Sequence, residues 1–273
     1  MNIRKFFRGL AAGILTLLVV GCAGNNISSI QTEIPEITVV VNTPTSEAPT
    51  EAAPSDTSPA VAGACGNLYM PIVAGAAWDY KLTGPVSDTF KHTILSVEDD
   101  SFTEQDQFGT GVTRQGKWQC DNGNLIALNP SAGGSASIST EGVSVDFQTK
   151  DLSGVTIPAE INPGDTWTQS LTLEGTQTIN NLSFPASDKF SSTCKAISIE
   201  SVTVEAGTFD AMRVECDNTM DITISLAENT PSNTVLTFTN LVWYAQNVGM
   251  VKTSTSGMGL DSTIELTSYN IPQ

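Results

Sequence analysis

Basic residues are scarce in this chain: 12 Lys and Arg stand against 29 Asp and Glu, with a single histidine, His92. A formal charge of −17 repels phosphate backbones, so no nucleic acid is expected as a partner. One histidine leaves no triad for a Ser or Cys nucleophile, and His92 sits in the strand-like run DTFKHTILSV, where a surface or packing role is the simpler one. There is no G-x-S-x-G elbow, no H-E-x-x-H and no spaced cysteine cluster, so neither metal nor cofactor is announced. The Gly-rich SAGGSAS at 131–137 lacks the Lys and helix of a phosphate cradle and reads as a loop. Helical periodicity is missing from Cys65 to Gln273, where no stretch of about a dozen residues repeats at 3.6.

Carboxylates are abundant. Asp99, Asp100, Glu104 and Asp106 crowd into VEDDSFTEQDQ without the spacing or central Gly of a calcium loop, and read as a solvated hairpin tip. Glycoside hydrolysis needs only two facing carboxylates, so an acid-pair glycosidase stands as an alternative to a non-catalytic protein.

At the N-terminus, Arg4, Lys5 and Arg8 precede an apolar run from Leu10 to Val20 that closes on VVGC. Residues 1–21 therefore read as a signal peptide, too short to span a bilayer comfortably. The stretch LLVVGC resembles the lipobox of bacterial lipoproteins, which implies that Cys22 is acylated and becomes the new N-terminus. On that resemblance the protein is extracytoplasmic, and Cys22 is its contact with the cell membrane, or with the outer membrane where the organism has one. Removing residues 1–21 takes away three cations and no acids, leaving 9 − 29, or −20.

Residues 22–64 carry five Pro, five acids, no Lys or Arg and no aromatic, the composition of a disordered tether. Only ITVVV at 37–41 has strand character. As a flexible coil the tether reaches roughly 35 Å.

From residue 65 to 273 the pattern is that of strands. Met212, Val214, Cys216, Asn218, Met220, Ile222 and Ile224 alternate with polar residues, and KWQCDNGNLIAL holds an Asn-Gly turn between two strand-like runs. The expectation is an all-β domain, a curved antiparallel sheet forming a half-barrel or a sandwich. GAAWDYKL at 75–82 and GDTWTQSL at 164–171 share their Gly, Trp and Leu spacing, which leaves open two related halves or coincidence. In each, the Gly turns the chain into a strand whose Trp is expected to be a core anchor.

With Cys22 acylated, four cysteines remain, and export favours disulfides. If EAGT at 205–208 is a turn, Cys194 falls beside Cys216, which leaves Cys65 for Cys120.

Three pieces, GAAWDYKL, EAGTFDAMRVE at 205–215 and WYAQNVGMVK at 243–252, resemble a family of uncharacterised bacterial envelope proteins, many of them lipoproteins. The resemblance implies a curved sheet akin to the half-barrel of lipoprotein-sorting carriers, and it brings no catalytic residues. No helix is evident to plug such a half-barrel. The expected function is a non-catalytic, membrane-anchored binding protein for an apolar or amphiphilic ligand or an envelope protein. Trp78, Trp118, Trp167, Trp243 and Tyr244 are candidates to line its site. A structural surface module is the other alternative.

Overall fold

Alternating side chains and tight turns produce strands throughout the computed structural model, which describes residues 63–128, 137–140, 143–226, 230–257 and 261–273. The signal peptide, Cys22, ITVVV, nearly all of the tether and most of SAGGSAS lie outside the described residues. The strands are β1 (Ala77–Thr83), β2 (Asp88–Val97), β3 (Ser101–Phe108), β4 (Thr113–Asp121), β5 (Asn124–Ala127), β6 (Ser137–Thr140), β7 (Val143–Gly154), β8 (Thr166–Ile179), β9 (Leu182–Val204), β10 (Gly207–Leu226), β11 (Thr230–Ala245), β12 (Gly249–Ser256) and β13 (Ser262–Asn270). Every ladder is antiparallel and joins neighbours in sequence, apart from β4 with β6 and β1 with β13.

Following the ladders from β1 through β2, β3, β4 and β6 to β13 returns to β1, so the 13-stranded sheet is a ring with β5 as a spur on β4. The curved sheet expected from the sequence thus goes beyond a half-barrel to a nearly closed one, which removes most of its unpaired edges. Local turn chemistry sets the hairpins. Asn122 and Gly123 (φ 48° and 86°) link Asp121 to Asn124, and Asn180 with Asn181 (φ 47° and 65°) link Ile179 to Leu182, both as two-residue turns of the kind a twisted hairpin requires.

The two Gly-x-x-Trp units build the same corner. Gly75 N–H donates to Ile94 O and Ile94 N–H to Ala76 O, while Gly164 N–H donates to Ala196 O and Ala196 N–H to Asp165 O, all at 2.9 Å. Both glycines have positive φ, 83° and 98°. Around the ring β2, β3, β4, β6 and β7 separate β1 from β8 on one side, and β9 to β13 separate them on the other, so the two corners are diametrically placed.

One end of the barrel is plugged without a helix. Residues 63–76 cross it: Gly123 N–H donates to Ala64 O, Asn67 Nδ2 to Gly123 O and Pro158 O, Tyr69 Oη to Ile161 O, and Asn247 N–H to Leu68 O. The β9–β10 tip bends over the same end and reaches β13, three strands round the ring, where Ala206 N–H meets Leu266 O. Disulfides Cys65–Cys120 and Cys194–Cys216 stitch the plug to β4 and β9 to β10. The main core lies at this end, among Trp78, Phe102, Trp118, Ile94, Val214 and Leu266.

Candidate functional site inside the barrel

Register stacks the inward side chains of β1 to β4 into four rows. From the plugged end they are Phe102 and Trp118; Ile94, Glu104 and Gly116; Trp78, His92, Asp106 and Arg114; and Tyr80, Phe90 and Phe108. Two charged rows therefore lie between two aromatic ones. Phe102 stacks on Trp118 at 5.4 Å, Tyr80 on Phe90 at 5.1 Å and Phe90 on Phe108 at 4.9 Å.

Asp106 is the hub. It accepts from His92 Nδ1 at 2.8 Å and pairs with Arg114 at 3.2 Å, while His92 Nε2 stands 3.5 Å from Glu104 Oε2. An ionised carboxylate only accepts, so Nδ1 carries the proton of that bond. Burial opposes charge on His92, but the hydrogen bond to Asp106 and the charges of Glu104 and Asp106 outweigh it and raise the imidazole above 6.5. Burial also raises Glu104, whereas contacts with His92 and Arg114 overcome burial and hold Asp106 below its ordinary value. The side chains of the four are only 14 to 19% exposed. Arg114 lies over the Phe108 ring at 4.5 Å, and the His92 ring is 5.5 Å from that of Trp78.

Gly116 makes this arrangement possible, since a Cβ there would meet Glu104 Oε1 at 2.6 Å. The charge run expected at a solvated tip thus divides. Asp99 and Asp100 are at the exposed turn, while Glu104 and Asp106 point inward, because alternation along β3 gives them the phase of Phe102 and Phe108. His92 is a packing residue, but one paired with Asp106 and set against Glu104. The network is nearly self-sufficient, although Glu104 Oε2, Arg114 Nε and Trp118 Nε1 are buried without a well-formed hydrogen bond.

The strands on the other side are also layered. Trp167, Cys194 and Cys216 share one row; Gln169, Ser192 and Asn218 form a buried polar row beneath them. Next comes a continuous apolar row: Leu152, Leu171, Phe190, Met220 and Leu236 pair in turn across β7, β8, β9, β10 and β11. Leu152, Leu171, Phe190 and Met220 of this row form, with Leu173, Phe147 and Phe238, a second cluster, separate from the main core, in which Phe147, Leu152, Met220 and Phe238 are only half-buried. One row further out, Asp188 sits between Leu173 and Ile222. β1 ends at Thr83 and β3 at Phe108, whereas β8 runs on to Ile179 and β9 starts back at Leu182, so these rows lie where the short strands give out.

The tryptophans do not share one surface. Trp78 is 2% exposed, with Nε1 donating to Val248 O, and Trp118 is 4% exposed. Trp167 is half-buried and donates to Thr156 O. Trp243 is on the outer face, where Nε1 donates to Glu200 Oε2 beside Arg213, and this bond, with Ser198 and Arg213, lowers the Glu200 carboxyl. Tyr244 faces inward on the next residue, and burial pushes its hydroxyl up to about 12. A groove of about 560 Å³ crosses β7 to β10 and is lined by Asp146, Gln148, Glu174, Thr176, Ser187 and Thr223, which have the outward phase and so lie on the opposite face from the apolar row.

A family model described as DUF3108-like matches residues 87–266. Three solved structures are similar. One is a protein from Bacteroides fragilis described as exported and of YmcC-like fold (16% identity, 75% of this chain and 100% of that one, TM-score 0.45). Another is a protein from Parabacteroides distasonis described as a lipoprotein (16%, 75% and 99%, TM-score 0.49). The third is the hypothetical lipoprotein YmcC from Escherichia coli (10%, 72% and 86%, TM-score 0.35). No curated protein matches the chain.

Proposed function

The chain belongs to the DUF3108-like family, and from that premise we propose that it is a non-catalytic, lipid-anchored envelope protein whose barrel holds an amphiphilic ligand at the end opposite the plug. Residues 1–21 export it, Cys22 anchors it, and residues 23–64 tether a domain that begins at Cys65. The observation that carries the ligand reading is the second apolar cluster. The row from Leu152 to Leu236 is continuous across five strands, yet Phe147, Leu152, Met220 and Phe238 stay half-uncovered. Covering such side chains returns roughly 25 cal/mol per Å² of apolar area, enough for an alkyl chain to bind. Leu182, 64% exposed at the β8–β9 turn, extends the apolar character to that end.

The groups best suited to acid–base chemistry support the non-catalytic half of the reading, for His92, Glu104, Asp106 and Arg114 are spent on one another behind aromatic rows. The test is native mass spectrometry of protein extracted from its own membrane, with Cys22→Ser protein alongside. The wild type should carry an acyl modification and a retained amphiphile. The variant should leave the membrane fraction under a high-salt wash with its fold intact. A Cys22→Ser protein that still pellets would remove the anchor, and wild-type protein that neither retains an amphiphile nor takes up an apolar probe would remove the ligand.

A further inference from the structure

We infer that the ligand at the far-end site carries a cationic head, and that Asp188 is the residue that holds it. This rests on the amphiphile reading above. Asp188 has the inward phase of Ala186 and Phe190, and its strand neighbours in register are Leu173 and Ile222. Its Oδ1 is buried and accepts no hydrogen bond. The interior elsewhere treats carboxylates differently: Asp106 has His92 and Arg114, and Glu104 has His92. No ion pair formed among the described residues includes Asp188, and the charge nearest to it in effect is Asp221, of the same sign. A carboxylate desolvated without a counter-charge is costly, and a bound cation removes that cost.

The apolar row one step nearer the plug decides what kind of cation. A bare metal ion would want further oxygen ligands, and the described residues offer no group of three His, Cys, Asp or Glu placed to hold one. An ammonium group with an alkyl chain satisfies both features at once, the head at Asp188 and the chain along Met220, Phe190 and Leu171. An anionic head would meet Asp188 in repulsion, and the mature charge of 9 − 29, or −20, adds to that discrimination at longer range.

The experiment uses the full chain as the Cys22→Ser protein, with N-phenyl-1-naphthylamine as the fluorescent occupant and monomeric dodecyltrimethylammonium, dodecyl maltoside and dodecyl sulfate as competitors. The ammonium compound should displace the probe at about tenfold lower concentration than the maltoside, with the sulfate weakest. Asp188→Asn, of the same size, should erase the ammonium preference and leave maltoside displacement unchanged. Equal displacement by ammonium and maltoside, or a preference that survives Asp188→Asn and so reflects only general charge, overturns the cationic head while the amphiphile site stands. Failure of the wild type to bind the naphthylamine at all overturns both.

Discussion

Gly116 is the position on which the interior charges depend, because the Glu104 carboxyl occupies the space a side chain would take. Gly116→Ala should lower stability by about 1 to 3 kcal/mol in urea unfolding, the usual result of forcing an extra carbon into a packed site. A Glu104→Ala change in the same protein should recover part of the loss, and strict additivity of the two would show that the contact is not as described. His92 gives a pH signature. Its folded pKa is raised, so its contribution is fully present below 6.5 and is lost as pH rises through the higher folded value. The urea midpoint should therefore fall as pH rises above 6.5, and His92→Gln should flatten that slope. Asp188 is raised to about 6, first by burial and then by Asp221, so it favours the folded state most below its ordinary 3.8 and loses that contribution as pH climbs to 6. Asp188→Asn should accordingly stabilise the ligand-free protein at pH 7. These roles were readable from strand phase, since His92, Glu104, Asp106 and Arg114 alternate in step with Phe90, Phe102, Phe108 and Trp118. Charge density in VEDDSFTEQDQ suggested water instead, and density was the weaker signal because period 2 decides which face a strand residue takes.

At the scale of elements, the repeated Gly-x-x-Trp corner separates into a sealed copy and an open one. Trp78→Ala should cost about 3 to 5 kcal/mol, measured by urea midpoint without ligand, because its indole is buried and its N–H is satisfied by Val248 O. Trp167→Ala should cost visibly less, since that ring is half-buried; equal losses would mean that the second corner is as closed as the first. Elements were legible wherever a local rule acts alone. The alternation of β10, the Asn122–Gly123 turn and the turn at Glu205 and Ala206 all follow from residues next to one another in the chain. The hairpin at 205–206 also explains why Cys194 and Cys216 face each other in register. What local rules do not contain is the partner of an outer strand. Nothing in GAAWDYKL specifies that β13 lies beside it, and nothing in EAGTF specifies that the hairpin tip reaches Leu266.

For the whole molecule, the two disulfides act on different parts of the unfolded chain. Chain-entropy estimates give about 4 kcal/mol for the Cys65–Cys120 loop, with a sequence separation of 55, and about 3 for Cys194–Cys216, with a separation of 22. Reduction should therefore lower the unfolding midpoint in two separable steps, the Cys65→Ser, Cys120→Ser protein losing the plug end first under limited proteolysis. The ladder joining β1 to β13 has a consequence for the timing of biogenesis. Ala77 meets Asn270 and Thr83 meets Thr263, so the earliest strand of the barrel waits for the latest one. Under the export proposed above, the chain emerges from its N-terminus, and until its last segment arrives the β1 edge has no native neighbour on that side. High contact order of this kind slows folding and prolongs the exposure of hydrogen-bonding edges to other nascent chains. Rapid arrival of the C-terminal segment would then favour the yield of this protein.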